Sequence, residues 1–193
     1  MLLHYYGPKH PIIVSGKKDT VYYEVPDFKF TNQYGNTTTP MKGRIWVCCF
    51  KHMKDQTMSP SMAILMNRVE ERTDRDSALR IVTFALDSES TKSLIDYAHL
   101  VHAGHRQLFV SGRPQELQDF AASAFYQPVD SSSEKGFVYF FLVDKEGHIR
   151  GIYNGLHIKE IDDLVDHIGM LEAAYSVLQN KEEGKKDRDN DGI

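Results

Sequence analysis

The stretch that most constrains this 193-residue chain is Arg44 to Arg72, RIWVCCFKHMKDQTMSPSMAILMNRVEER. It opens with an apolar run, Ile45, Trp46, Val47, Cys48, Cys49 and Phe50, then crosses a polar segment from Lys51 to Thr57 to reach Ser59 and Pro60. Beyond them apolar residues recur at Met62, Leu65, Met66 and Val69, with Asn67, Arg68, Glu70 and Glu71 between. An unbroken apolar run reads as a buried strand, and spacings of three and four read as one face of an amphipathic helix. Ser59 is a candidate N-cap, and Pro60 suits the first helical turn, where its missing N–H costs no hydrogen bond. A strand, a short loop and a capped helix start set helix N-terminal amides beside the loop's side chains, an arrangement in which many α/β proteins keep their chemistry. What that loop contains therefore decides what kind of site the chain holds.

At 41% hydrophobic residues the chain is long enough for one domain with a sizeable core, plus extensions. Its net charge is −4, and no basic segment is concentrated enough for a nucleic-acid surface. No apolar run reaches membrane-helix length and Met1 opens no signal-peptide pattern, so any export or anchoring segment is expected to lie outside this sequence. The two cysteines, Cys48 and Cys49, are adjacent. Neighbours on a strand point to opposite faces, so the pair is badly placed to form a disulfide or to share one metal. Buried free cysteine is common in cores, and that reading is preferred.

Taken in order, residues 1–20 read as an irregular extension, 21–179 as the folded domain and 180–193 as a charged, disordered tail. Val25 to Phe30 alternates apolar and polar ahead of turn residues at Asn32 to Asn36, which predicts a β-hairpin before the main fold. After the strand–loop–helix unit comes a strand at Leu79 to Leu86, then Asp87-Ser88-Glu89-Ser90-Thr91, with Ser90 or Thr91 as a helix cap. The helix that follows carries Leu94, Tyr97, Ala98 and Val101 on one face and ends near Gly104. A third strand at Gln107 to Val110 leads to a helix opening at Pro114 and burying Leu117, Phe120, Ala121 and Ala124. Strands at Phe137 to Val143 and His148 to Tyr153 form a hairpin about Asp144-Lys145-Glu146-Gly147. A last helix buries Ile161, Leu164, Val165, Ile168, Leu171 and Tyr175. This succession describes an α/β fold with a mixed sheet covered on both faces, the thioredoxin-like arrangement with an N-terminal β-hairpin.

Several segments carry a narrower resemblance. Val25-Pro26-Asp27-Phe28 ahead of Gly35 resembles the opening hairpin of the Sco/SenC family and of peroxiredoxins. Phe141 to Tyr153, FLVDKEGHIRGIY, resembles the late hairpin of Sco/SenC proteins, and Tyr5-Tyr6-Gly7-Pro8 the start of their mature domain. The similarity runs from about Tyr5 to Leu178. It implies a thioredoxin-like domain held outside the cytoplasm, on the periplasmic side of a bacterial membrane, and concerned with copper delivery to cytochrome c oxidase. Family members bind copper through a Cys-Pro-x-x-x-Cys-Pro-like loop and a distant His. Here Pro60 and Met62 match that loop, but Asp55 and Ser59 stand in place of the two cysteines and Gly136 falls where the His is expected. Cu(I) favours soft thiolates, which a carboxylate, a hydroxyl and a glycine do not replace. The family's thiol–disulfide chemistry needs the same pair and goes with it.

The resemblance therefore implies a non-enzymatic binding or assembly factor with no catalytic residue and no bound cofactor. Its partner is expected to be a protein, either a respiratory oxidase subunit or another assembly factor. Two alternatives stand beside it. His52, Met53 and Met58 offer imidazole and thioether to a rebuilt copper site. A thiol peroxidase or oxidoreductase would need a reactive thiolate at the helix start, whereas the only cysteines lie on the preceding strand. Elsewhere, His99, His102 and His105 could hold Zn(II) or Cu(II), or simply be solvated imidazoles near a helix C-terminus. Asp55 ahead of a helix reads as a loop or capping residue, since no partner base or nucleophile accompanies it. Asp187 to Ile193 matches the opening of a calcium loop and stops before the acidic residue that would complete one.

Overall fold

The computed structural model describes residues 24–37, 41–53, 59–73, 78–87, 89–125 and 139–190, with 59–61 and 181–190 described as backbone. The elements are β1 (Thr31–Asn32), β2 (Ile45–Lys51), α1 (Ser59–Arg72), β3 (Leu79–Ala85), α2 (Thr91–Leu100), β4 (Gln107–Ser111), α3 (Pro114–Ala124), β5 (Tyr139–Val143), β6 (Ile149–Asn154) and α4 (Ile158–Asn190). The strands form one sheet in the order β1-β4-β3-β2-β5-β6. β2 is parallel to β3, and β3 to β4, while β5, β6 and β1 join their neighbours antiparallel. Parallel neighbours need helical crossovers, which α1 and α2 supply.

Strand alternation sorts the core into two layers. Trp46, Cys48, Phe50, Val82, Phe84, Phe141 and Val143 face one side, under α3 and the Val25–Phe30 segment. Ile45, Val47, Cys49, Leu79, Ile81, Phe140 and Leu142 face the other, under α1 and α4. The first layer is mainly aromatic: Phe50 stacks on Phe84 with centroids 4.8 Å apart and meets Phe125 edge-on at 5.0 Å. Such arrangements follow from the ring quadrupole, which disfavours a face-to-face sandwich. The buried Trp46 donates its indole N–H to Met41 O at 2.7 Å, which satisfies its one polar atom.

The hairpin expected near the N-terminus takes a compact form. Its turn closes through Asn32 N to Asn36 O at 2.8 Å and a bridge from Thr31 to Thr37, with Gly35 at φ 80°. β1 then pairs with β4, and Phe28 and Phe30 insert into the aromatic layer. α1 begins at Ser59, so this residue is the first of the helix rather than the one before it. α4 keeps its helical backbone to Asn190, about ten residues past the boundary set at 179. Lys, Glu and Arg are good helix formers and extend a helix already anchored by its packed first half. Asp187 to Asn190 are helical accordingly, and the rest of the calcium-loop match lies outside the described residues, as do residues 1–20.

Candidate functional site

The two central parallel strands end side by side. Lys51 pairs with Ala85, and Leu86 N donates to Lys51 O at 2.9 Å. One residue past β2 and two past β3, His52 and Asp87 meet through Nδ1 and Oδ1 at 3.0 Å, both partly buried. A carboxylate only accepts, so His52 Nδ1–H donates, and this bond sets the ring's tautomer and orientation. Glu89 N donates to Ser111 Oγ at 3.1 Å, joining this end of β3 to β4. Ser90 caps α2, its Oγ accepting from Ser93 N at 3.1 Å, as the segment after Asp87 predicts. The open ends of parallel strands beside a helix start are where α/β sheets place ligands.

The expected ligand positions divide. Asp55, Met58 and Gly136 lie outside the described residues, and Ser59 opens α1. Met53 packs against Ala85, Leu94 and Phe109 in an apolar cluster with Tyr97 and Val101. Of the alternative trio, then, His52 is oriented by Asp87 and Met53 is engaged with a hydrophobic surface. Cys48 and Cys49 are buried in opposite layers, in the geometry that period-two alternation predicts. Cys49 Sγ lies 3.3 Å from Thr83 Oγ1 and 4.0 Å from Met66 Sδ. Burial pushes the Cys49 thiol up to about 11 and the Cys48 thiol well above its usual value, so both stay protonated at neutral pH. Neither Cys48 nor Cys49 therefore supplies a thiolate to the start of α1.

Two further groups gather chemistry elsewhere. Asp144, Glu146 and His148 bring their donor atoms within 4.8 Å of one another in the β5–β6 turn. The two carboxylates are already engaged, whereas His148 Nδ1 lies 3.7 Å from Asp144 Oδ2 and makes no hydrogen bond. Asp144 Oδ1 accepts from Glu146 N at 3.0 Å and His148 N at 2.8 Å, its Oδ2 accepts from Arg150 Nε, and Glu146 accepts from the Tyr175 hydroxyl. The Arg150 guanidinium is paired with Asp144 and neutralises part of the group's charge.

The histidine cluster is split by the fold. His102 and His105 line a cavity of about 390 Å³, together with Asn67, Glu70, Glu71 and Arg106. His99 stays on exposed α2 outside it. Glu70 and Arg106 are buried, at 8% and 2% exposure, and sequence periodicity missed them. Glu70 falls among the polar residues of α1, and an arginine before a strand carries no burial signal. Glu70 accepts from Arg106 N at 3.0 Å and Gln107 Nε2 at 2.8 Å.

Comparison with known proteins gives the relationship. The SCO1/SenC family model matches residues 17–171. The SCO1 protein homolog of Bacillus subtilis (strain 168) is 27% identical over a 162-residue alignment that covers 78% of this chain and 84% of that protein. The structure of BsSco, a member of the Sco family of cytochrome c oxidase assembly proteins in which a disulfide switch is identified, superposes with a TM-score of 0.68 at 24% identity, covering 81% of this chain and 98% of that one. A SCO1/SenC family lipoprotein from Bacillus anthracis str. Ames gives 0.67 at 23% identity, with 77% and 95% covered. Yeast Sco1 with copper bound gives 0.57 at 16% identity, with 76% and 93% covered. The six-stranded sheet and its flanking helices are thus the thioredoxin-like fold of Sco proteins.

Proposed function

The chain belongs to the SCO1/SenC family, and from that membership we propose that it serves cytochrome c oxidase assembly as a non-catalytic binding factor whose copper site is degenerate. One observation carries the reading. Both of its cysteines sit inside the sheet's two core layers, as protonated thiols, on the strand that precedes the loop. Disulfide exchange requires a reachable thiolate, and so does a copper site built like the family's on two cysteines. Asp55, Ser59 and Gly136 at the positions of the family's ligands support the same reading. So does the absence of any other cysteine in the sequence. A fold kept without its reactive groups still offers a surface, and the partner in this reading is an oxidase subunit or another assembly factor. The Bacillus anthracis relative described as a lipoprotein supports a place outside the cytoplasm. Among the described residues no helix is long and apolar enough to cross a membrane.

The rebuilt copper site at His52, Met53 and Met58 is the second reading, and the His52–Asp87 bond is the observation in its favour. Metal-ligating imidazoles are commonly oriented by such a carboxylate. It would require Met53 to leave its apolar cluster.

A Cu(I) titration of the tag-free chain against a competing chelator separates the two. The degenerate site gives no stoichiometric binding, whereas one-to-one binding lost in His52→Ala establishes the rebuilt site. The assembly role is tested in cells lacking this protein. Oxidase activity should fall there, and both the wild-type chain and a Cys48→Ala/Cys49→Ala variant should restore it. An oxidase unaffected by the deletion overturns the proposal.

A further inference from the structure

We propose that the outer edge of β6 is a strand-docking site and that its occupant is this chain's own segment Asp19 to Tyr23, added antiparallel to β6. β6 ends the sheet. Among the described residues, backbone pairing on its outer side is one bridge, Glu24 antiparallel to His148, beside which Val25 N donates to Gly147 O at 2.8 Å. The described chain thus begins at Glu24 already in the register of an added strand.

The ladder shows which groups that strand would meet. Asp144 N donates to His148 O at 3.0 Å, so this pair is bonded on the β5 side. Bonded and non-bonded pairs alternate in an antiparallel ladder, so Ile149, opposite Val143, turns its N–H and C=O outward. Arg150 is the extra residue of the irregularity at Leu142/Val143, and beyond it Ile152, opposite Phe141, is the next to face outward. Asn154, two residues on, gives its N–H to Glu160 Oε2 at 2.6 Å, which closes the edge there. A row of outward backbone groups is a template for another strand, and Ile152 within it is 38% exposed.

The segment fits that template. Thr20, Val21, Tyr22 and Tyr23 are β-branched or aromatic, the residues that suit a strand, and Gly16 to Lys18 break the pattern ahead of them. Extending the register from Glu24 pairs Tyr23 with Ile149, which belongs to the same aromatic layer as Val25. Skipping Arg150, as β5 does, pairs Val21 with Ile152, whose partner Phe141 lies in that layer too. Side chains two apart share a face, so this register keeps Val21, Tyr23 and Val25 on one side, and it sets one β-branched residue against another at Ile152.

Direction gives the docking its bearing on the candidate site. β6 is two antiparallel steps from β2 and so runs parallel to it. The added strand runs the opposite way, and the residues before Asp19 join the body at the end where His52 meets Asp87.

The test is residue-resolved amide hydrogen exchange on the full chain. The N–H groups of Val21, Tyr23, Ile149 and Ile152 should exchange about a hundredfold or more slower than in an unstructured chain. Val21→Pro deletes the N–H aimed at Ile152 O and should speed exchange at Ile152 about tenfold or more, while Val47 and Val82 in the central strands keep their wild-type rates. Thr20→Pro deletes an N–H directed to solvent and should leave Ile152 slow. Unprotected amides at Val21 and Ile152 in the wild type, or an Ile152 rate unmoved by Val21→Pro, would overturn the proposal. So would protection at Ile152 that disappears on dilution of a sedimenting dimer, since a second copy would then be the occupant.

Discussion

Gly104 lies so close to Glu70 that a Cβ built there would stand 2.2 Å from the carboxylate oxygen Oε2. Glu70 has little room to yield, since backbone Arg106 N and the Gln107 side chain hold its two oxygens. Gly104→Ala is therefore expected to cost about 1–3 kcal/mol, the usual range for overpacking a tight site. Urea denaturation reads this as a lower midpoint at an unchanged slope. An unchanged midpoint would mean that Glu70 swings aside freely.

The buried thiols make stability fall at alkaline pH. Their folded values are raised above the ordinary 9.0, so the folded state holds the proton more tightly than the unfolded chain. The contribution is complete below about pH 9 and, for Cys49, is lost as pH rises towards about 11. It is on the order of 2–3 kcal/mol for Cys49. Cys48→Ala/Cys49→Ala should lose less stability than the wild type between those pH values. An equal loss of unfolding free energy in wild type and variant between pH 8 and pH 10.5 would contradict the burial argument.

His102→Gly should raise stability. A left-handed backbone costs a side-chain-bearing residue about 1–2 kcal/mol, and the added freedom of glycine in the unfolded chain returns part of that. A net gain of about 0.5–1 kcal/mol is expected in thermal or urea unfolding. Destabilisation would show that the imidazole makes contacts worth more than the strain it carries.

Tyr175 fastens α4 to the β5–β6 turn. Its hydroxyl donates to Glu146 and accepts from Lys145 N at 3.2 Å, and Lys145 Nζ sits 4.7 Å from the ring centroid. Tyr175→Phe should cost about 0.5–1.5 kcal/mol. Burial first, then the Glu146 hydrogen bond and the Asp144 charge, holds this phenol protonated well above the ordinary 10.0. Its stabilising effect is present below that value and lost at higher pH. An absorbance titration near 295 nm should lose a tyrosine that ionises above the ordinary range in the variant, and an identical curve would refute the assignment.

Much of the fold is legible in local pattern. The unbroken apolar run at β2 reads as a buried strand, whose alternation places Cys48 and Cys49 in opposite layers, and the three-and-four spacings of α1, α3 and α4 pick out residues that are largely buried. Ser90 reads correctly as a cap because the donor it serves is three residues away. The site is less legible. Three histidines within seven residues look like one group, but the left-handed turn at His102 sends His102 and His105 to a cavity and leaves His99 on the helix.

The sequence by itself determined most of the elements that form and the faces they bury, since residue identity and short-range periodicity carry that information. Only the tertiary structure decided that His52 meets Asp87 thirty-five positions away and that Glu70 meets Arg106 across thirty-six. Those pairings follow from parallel register and from crossovers that return the chain beside itself. No local pattern encodes such a meeting, because hydrophobic burial aligns the strands and the polar contacts at their ends follow from that alignment.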